Sequence, residues 1–428
     1  MNSYLKSITP DGLSGIIFAL EGIAGSVVLL NGPTGCKFYH SATSDNQILR
    51  QLEFDPLNYP INWYFGQPRV PCTYLDSGDY IYGGKDKLVE ALEYIRDNVA
   101  HSIVAIVNSP GAALIGDDLL GIARSVLGDE TIIAIETPGF SSDICAGFET
   151  AAIALIDAID PPKLAPTART VNLLGISIFQ KYVLGDLAEL RRLLGLCGIT
   201  VNCALCADSS PEAVRNISSA ELNVVVRPEY ARETAEHLKQ RLGTPYYVAE
   251  PPIGFAATEK FVRDICDMLG CDAAPAIEVS ERARAGAYTY ISRVNSLVGL
   301  PKGARVSVEG TYSEQLAYFK FFVQYLGMLP EAALTFCPRV DYAKLQFEEF
   351  MRGHGLADVL ERDIFEAQNE LVFASGATIS QLRNAGQHFV GVENALPGLG
   401  YIDVIPKTHL GVAGASLLVE QVLNGLLL

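Results

Sequence analysis

The sequence predicts an α/β protein built from three doubly wound, Rossmann-like modules, each a parallel sheet with helices on both faces. Three observations carry this expectation. Short β-branched runs alternate with helical patterns of about ten to fifteen residues, the rhythm of strand–helix–strand units. Proline-glycine loops punctuate the ends of the strands, as in "NSPG" and "ETPG". The chain has 428 residues and 49% hydrophobic content, more than one core usually organises, so about three domains are expected.

Taken in order, the first third reads "GSVVLLNGPTGC", "HSIVAIVNSPGAALIGDDLLGIARSVL" and "TIIAIETPGF". The stretch "DPPKLAPTART", residues 160–170, concentrates proline ahead of a new strand and acts as a linker. The second third then runs from "TVNLLGISIFQKYVLGDLAELRRLLGLCGITVNCAL" through "ELNVVVRPEYARETAEHLKQRLGTPYYVAEPPIGF". A second boundary falls near "LGCDAAPAIEVSERARAG", before "ARVSVEGTYSEQLAYFKFFVQYLGMLPEAALTF" and "NELVFASGATISQLRNAGQHFVGVENALPGLG". The expected modules are therefore residues 1–165, 166–275 and 276–428. In such folds ligands gather at the carboxyl ends of strands, so the clefts between modules are the expected sites for a small-molecule substrate.

Charge narrows the partners. A formal net charge of −17 leaves no basic surplus to neutralise phosphates, which argues against nucleic acid and anionic membranes. No positively charged start leads into an apolar stretch and no run of eighteen apolar residues occurs, so a cytoplasmic location is expected. Nine cysteines, an odd number, read as reduced thiols, core fillers or metal ligands rather than disulfides.

The stretch "VVLLNGPTGCKFYHS", residues 27–41, is a buried strand entering a glycine turn with a lysine beyond it. A phosphate loop would need glycine where Cys36 stands and a hydroxyl where Phe38 stands, so no nucleotide is expected on this chain. A cysteine on such a turn presents its sulfur at the carboxyl edge of the sheet, which favours a metal. Cys203 and Cys206 form a Cys-x-x-Cys pair at a strand end, open to metal binding or redox exchange, but no second pair follows. Cys266, Cys271 and Cys337 sit in helical or strand contexts and read as structural. Asp117 and Asp118 precede "LLGIARSV" and are expected to cap that helix.

Together, "GIIFALEGIAGSVVLLNGPTGC", "DSGDYIYGGKDKL", "LIGDDLLGIA", "ETPGF", "VNLLGISIFQKYVLGDLAELRRLL" and "EPPIGFAATEKFV" resemble nitrogenase component 1 and its relatives. Those relatives include the dark protochlorophyllide and chlorophyllide reductases and the reductive cyclase of coenzyme F430 synthesis. The resemblance implies a three-module fold, an iron-sulfur cluster at a subunit interface, and electrons delivered by a separate ATP-hydrolysing iron protein. Of the family's three cluster cysteines, the second matches Cys36, the first falls on Asp11 and the third on Pro110. A carboxylate ligates iron in one of the protochlorophyllide reductase subunits, so Asp11 stays a candidate beside its plainer reading as a turn residue. Ser109 neighbours the lost third position, Cys72 precedes a segment that runs beside the family's cluster, and Cys145, in "TPGFSSDICAGFETA", is expected on a loop facing the same cleft.

The resemblance thus implies a homodimer sharing a 4Fe-4S cluster through Cys36 and Cys72 of each copy, which meets the usual need for four anionic ligands. His40, four residues beyond Cys36, would share a helix face with it and is weighed equally as proton donor and surface histidine. No cysteine stands near "NVVVRPEYARETA", where a molybdenum-iron cofactor would need one, and His409 falls on a neighbouring motif, so dinitrogen reduction is not expected. The expected function is a nitrogenase-like reductase. A metallocluster scaffold without turnover is the alternative, and a cluster-free small-molecule receptor is a third.

Overall fold

A computed structural model describes residues 11–36, 70–136, 142–337, 342–395 and 405–427; His40 lies outside them. Three parallel sheets follow one another along the chain. The first has strand order β1-β2-β3, formed by Ser26–Asn31, Ile103–Asn108 and Ile132–Ile135. The second, ordered β5-β4-β6-β7, uses β4 Thr167–Leu174, β5 Thr200–Ala204, β6 Ala220–Val225 and β7 Tyr246–Val248. The third, ordered β11-β10-β8-β9, uses β8 Arg305–Glu309, β9 Leu329–Leu334, β10 Leu371–Ser375 and β11 Val390–Ala395. Every pairing within them is parallel.

Period-two alternation divides each sheet between two cores. In β1, Val28 and Leu30 face one apolar cluster while Leu29 faces another, and β2 repeats the split with Ala105 and Val107 against Val104 and Ile106. A strand apolar on both faces must be covered on both, which fixes the helix–sheet–helix layering. One face of the first sheet carries α1 (Gly12–Glu21) and α4 (Ile144–Ile159); the other carries α2 (Lys85–Asn98) and α3 (Leu119–Leu127). The second and third sheets divide the same way, with Val171 and Leu173 of β4 on one side and Leu174 on the other, and with Phe373 and Val372 of β10 apart.

One helix joins the second and third sheets, and one close crossing closes the first module. The C-terminal helix, Gly411–Leu427, buries Val412, Leu418 and Val422 in the same cluster as Val171 of β4 and Phe373 of β10. Helix α1 packs against α4 so closely that glycine is required at the crossing. A Cβ on Gly147 would stand 1.9 Å from the Gly12 carbonyl oxygen, and one on Gly15 2.0 Å from that of Ile144. No helix among the described residues is long and apolar enough to cross a membrane.

Candidate functional site

The carboxyl end of β1 rests on a buried ladder of amides. Asn31 donates to the Asn108 side-chain oxygen at 2.8 Å, Thr73 donates to Asn31 at 2.8 Å, and the Asn108 amide donates to the Glu136 carbonyl at 3.0 Å. The Gly32 N–H completes the set by donating to the Thr73 hydroxyl at 3.0 Å. Fully partnered polar chains of this kind hold one geometry, because each alternative leaves a desolvated group unpaired. A rigid strand end results. Gly32 is also forced by space, since a Cβ there would lie 2.5 Å from the Ser109 hydroxyl.

Past the strand end, residues 34–36 enter a helical turn, and Cys36 is half-buried there. Burial pushes its thiol up, and the nearby Asp11 carboxylate adds to the push, so the structure brings the first and second family positions together. Asp11 is not a loose turn residue: it caps α1, accepting from the Ser14 amide at 2.9 Å and the Ser14 hydroxyl at 2.8 Å. Ser109 is fully buried and shares a hydrogen bond with Tyr80, whose phenol is pushed up by burial and also feels Cys36. Tyr80 lies on the short helix Asp79–Tyr82, which Lys87 secures through Asp76 at 2.8 Å and Asp79 at 2.6 Å. The rim here is apolar and open, with Ile81 73%, Tyr82 89% and Leu114 84% exposed.

The other predicted residues lie deeper. Cys72 is in the first module's core, on a segment bridged in parallel to Leu30. The sequence places Cys145 on a loop facing the cleft; it is instead fully buried in the first turn of α4, because Asp143 caps that helix by accepting from the Ala146 amide at 2.9 Å. There its thiol is hydrogen-bonded to that of Cys337 and pushed well up by burial. Cys337, read as structural, follows β9 and is equally buried. The rule that directs attention to Cys36, a cysteine just past the carboxyl end of a parallel strand, applies to Cys337 too.

Cys203 and Cys206 are both core residues with thiols pushed up by burial, Cys203 to about 12. The close approach of Gly22 explains their packing, since a Cβ there would stand 2.0 Å from the Cys206 carbonyl oxygen. His409 is held by the Tyr318 hydroxyl at 2.7 Å and Gln421 at 2.8 Å within the body of the protein. Asp118 caps α3 as expected, accepting from the Gly121 amide at 2.8 Å, whereas Asp117 accepts from the Gly84 amide at 3.0 Å and so fixes the start of α2.

A family profile described as nitrogenase component 1 type oxidoreductase matches residues 12–427. The chain belongs to this family. Among curated nitrogenase component 1 relatives, a light-independent protochlorophyllide reductase chain of Heliobacterium modesticaldum is 30% identical over 241 residues, 54% of this chain and 44% of that protein. The corresponding reductase chain of Methylobacterium sp. strain 4-46 is 26% identical over 331 residues, 74% of this chain and 63% of that one. The nitrogenase molybdenum-iron protein beta chain of Methanococcus maripaludis is 22% identical over 361 residues, 75% of this chain and 71% of that one. The chain therefore spans about half to two thirds of the length of the first two of these relatives. A solved structure of nitrogenase Cp1 at pH 6.5 superposes with a TM-score of 0.77 over 98% of this chain and 92% of that one, at 17% identity, and so shares the fold.

The donor set at the strand edge suits an iron-sulfur cluster of the kind this family carries. Cys36 is a half-open thiol beside a carboxylate, the donor chemistry such a cluster takes.

Proposed function

We propose that this chain is the electron-accepting subunit of a nitrogenase-like reductase, working as a homodimer whose two copies hold a 4Fe-4S cluster between their Cys36 edges. The observation that carries this reading is the placement of Cys36 with Asp11 at the carboxyl end of β1, on a ladder that fixes the strand end and beside an exposed apolar rim. Cys36 and Cys72 of each copy are the four proposed thiolate donors, and Asp11 is the oxygen donor that would stand in for Cys72. The cluster, when bound, supplies one-electron transfer at low potential. The rest of the site acts by position. The Asn31–Asn108–Thr73 ladder holds the donor turn still, Ser109 and Tyr80 floor it, and the apolar rim excludes water once a second copy covers it.

The proposed electron source is an ATP-dependent iron protein, and the proposed substrate is a small unsaturated or tetrapyrrole-like compound other than dinitrogen, bound between modules in the cytoplasm. His40 is the proton donor proposed from its spacing to Cys36. Its replacement by Gln should slow turnover while leaving iron content unchanged.

Anaerobic purification followed by iron and sulfide analysis tests the reading. The parent should contain about four irons per dimer and an electron paramagnetic resonance signal on reduction. Cys36→Ser should lose the iron; full iron in that variant would sink the assignment. Unchanged iron in Cys72→Ser would leave Cys36 and Asp11 as the donor pair. Reduction of the bound cluster by an iron protein with ATP separates a reductase from a scaffold that only carries it.

A further inference from the structure

We propose that Asp143, Cys145 and Cys337 form a second, mononuclear site for a divalent metal ion of the zinc class, separate from the Cys36 edge, which fastens the third module to the first. Among the described residues these three side chains place one donor atom each within 4.8 Å of one another. Two thiolates at about 2.3 Å from a tetrahedral zinc ion stand about 3.8 Å apart, with a carboxylate oxygen bound at about 2.0–2.2 Å. The three donors therefore need to close by no more than about 1 Å to grip an ion.

The donors arrive from opposite sides of a junction. Asp143 and Cys145 stand at the start of α4 in the first module, while Cys337 follows β9 of the third. Helix α4 is sixteen residues long, and its N-terminus offsets part of the negative charge that two thiolates and a carboxylate bring together. Among the described residues the cap engages Oδ1 of Asp143, which leaves Oδ2 as a donor. The wall around the group is built: Tyr230 meets Phe148 edge-on at 5.5 Å, and Glu229 is anchored by the Ser313 amide at 2.8 Å and the Ser313 hydroxyl at 2.6 Å.

Two sulfurs and one oxygen are the donors of borderline-soft ions, not of magnesium or calcium, which take oxygen alone. Three protein ligands leave the fourth position for water. The ion binds the two sulfurs as thiolates, so loading the site is accompanied by proton release.

The test is a cobalt(II) titration of the full chain, stripped with chelator under reducing, oxygen-free conditions. Expected are one cobalt per chain, a thiolate-to-cobalt charge-transfer band and tetrahedral ligand-field bands in the visible. Cys36→Ser should keep all three features. Cys337→Ser and Cys145→Ser should weaken binding beyond the roughly 10–100-fold lost when a metal's outer-shell partners are removed. Zinc should raise the unfolding temperature of the parent but not of Cys337→Ala. Should the cysteine variants fail to fold, Asp143→Asn keeps the helix cap while deleting the carboxylate, and it should bind cobalt more weakly. No charge-transfer band in the parent, or equal affinity in parent and Asp143→Asn, overturns the site.

Discussion

The Cys36 edge and the Cys145–Cys337 junction are built from the same few residue types and differ in almost every physical respect. At the edge a single thiol is half-open near Asp11 and Tyr80, and the short helix that carries Tyr80 turns Ile81 and Tyr82 to solvent. At the junction two thiols are sealed among Phe148, Tyr230 and a carboxylate, with module meeting module. Asp11 and Asp143 tie the regions together: each caps a helix, and the two residues form an antiparallel bridge. The contrast teaches that exposure and neighbours, rather than the presence of cysteine, divide a surface donor from an interior one.

The contact beneath both regions is the most sensitive place to break the comparison. Gly147→Ala sets a Cβ against the Gly12 carbonyl oxygen, and rigid backbone cannot yield as a flexible side chain can. It should destabilise the chain by about 3 kcal/mol or more, read from denaturant unfolding, and disturb both thiols together. An effect confined to one of them would show that the two regions are mechanically independent.

The next largest effect belongs to the junction alone. Burial raises the Glu229 carboxyl to about 7 from an ordinary 4.5, against the pull of its Ser313 hydrogen bonds. The folded chain thus holds this proton more tightly than the unfolded chain. The stability it contributes is complete below pH 4.5 and is lost as the pH climbs through 7. Glu229→Gln should flatten that decline, whose full span is on the order of 3 kcal/mol at about 1.4 kcal/mol per pH unit. Stability curves of parent and variant that run parallel across this window would contradict the assignment.

Smaller still is the cap. Asp143→Ala should cost about 1 kcal/mol by leaving the Ala146 amide without its acceptor, while Asp143→Asn should recover most of the loss. The finest discrimination is chemical. Asp11→Asn keeps the α1 cap but removes the charge that opposes the Cys36 thiolate, so Cys36 should alkylate faster at a given pH. Cys145 should stay unreactive in both proteins until they unfold; its labelling in the native state would mean the junction is open.

Much of the architecture is legible in local pattern. Strands such as "SVVLLN" and "IVAIVN" are apolar on both faces, and such strands demand helices on both sides. Capping aspartates before "LLGIARSV" and "ICAGF" are legible for the same local reason. Long-range relations are not. Nothing near residue 411 announces that the last helix will pack against Val171. Nor does the local sequence bring Cys337 to Cys145, 192 positions away, since that meeting depends on how whole modules dock. Cys36 is recognisable because strand, turn and cysteine are contiguous; the Asn31–Asn108–Thr73 ladder beneath it is hidden because its members come from three segments.

The tight passage of Gly32 over Ser109 carries an evolutionary consequence. With only 2.5 Å between a would-be Cβ and the Ser109 hydroxyl, the glycine cannot be enlarged by itself. Lineages that exchange the glycine must shrink its neighbour in step, so the two sites should drift as a correlated pair, and sequences sampled from close kin offer a direct count of how often they do.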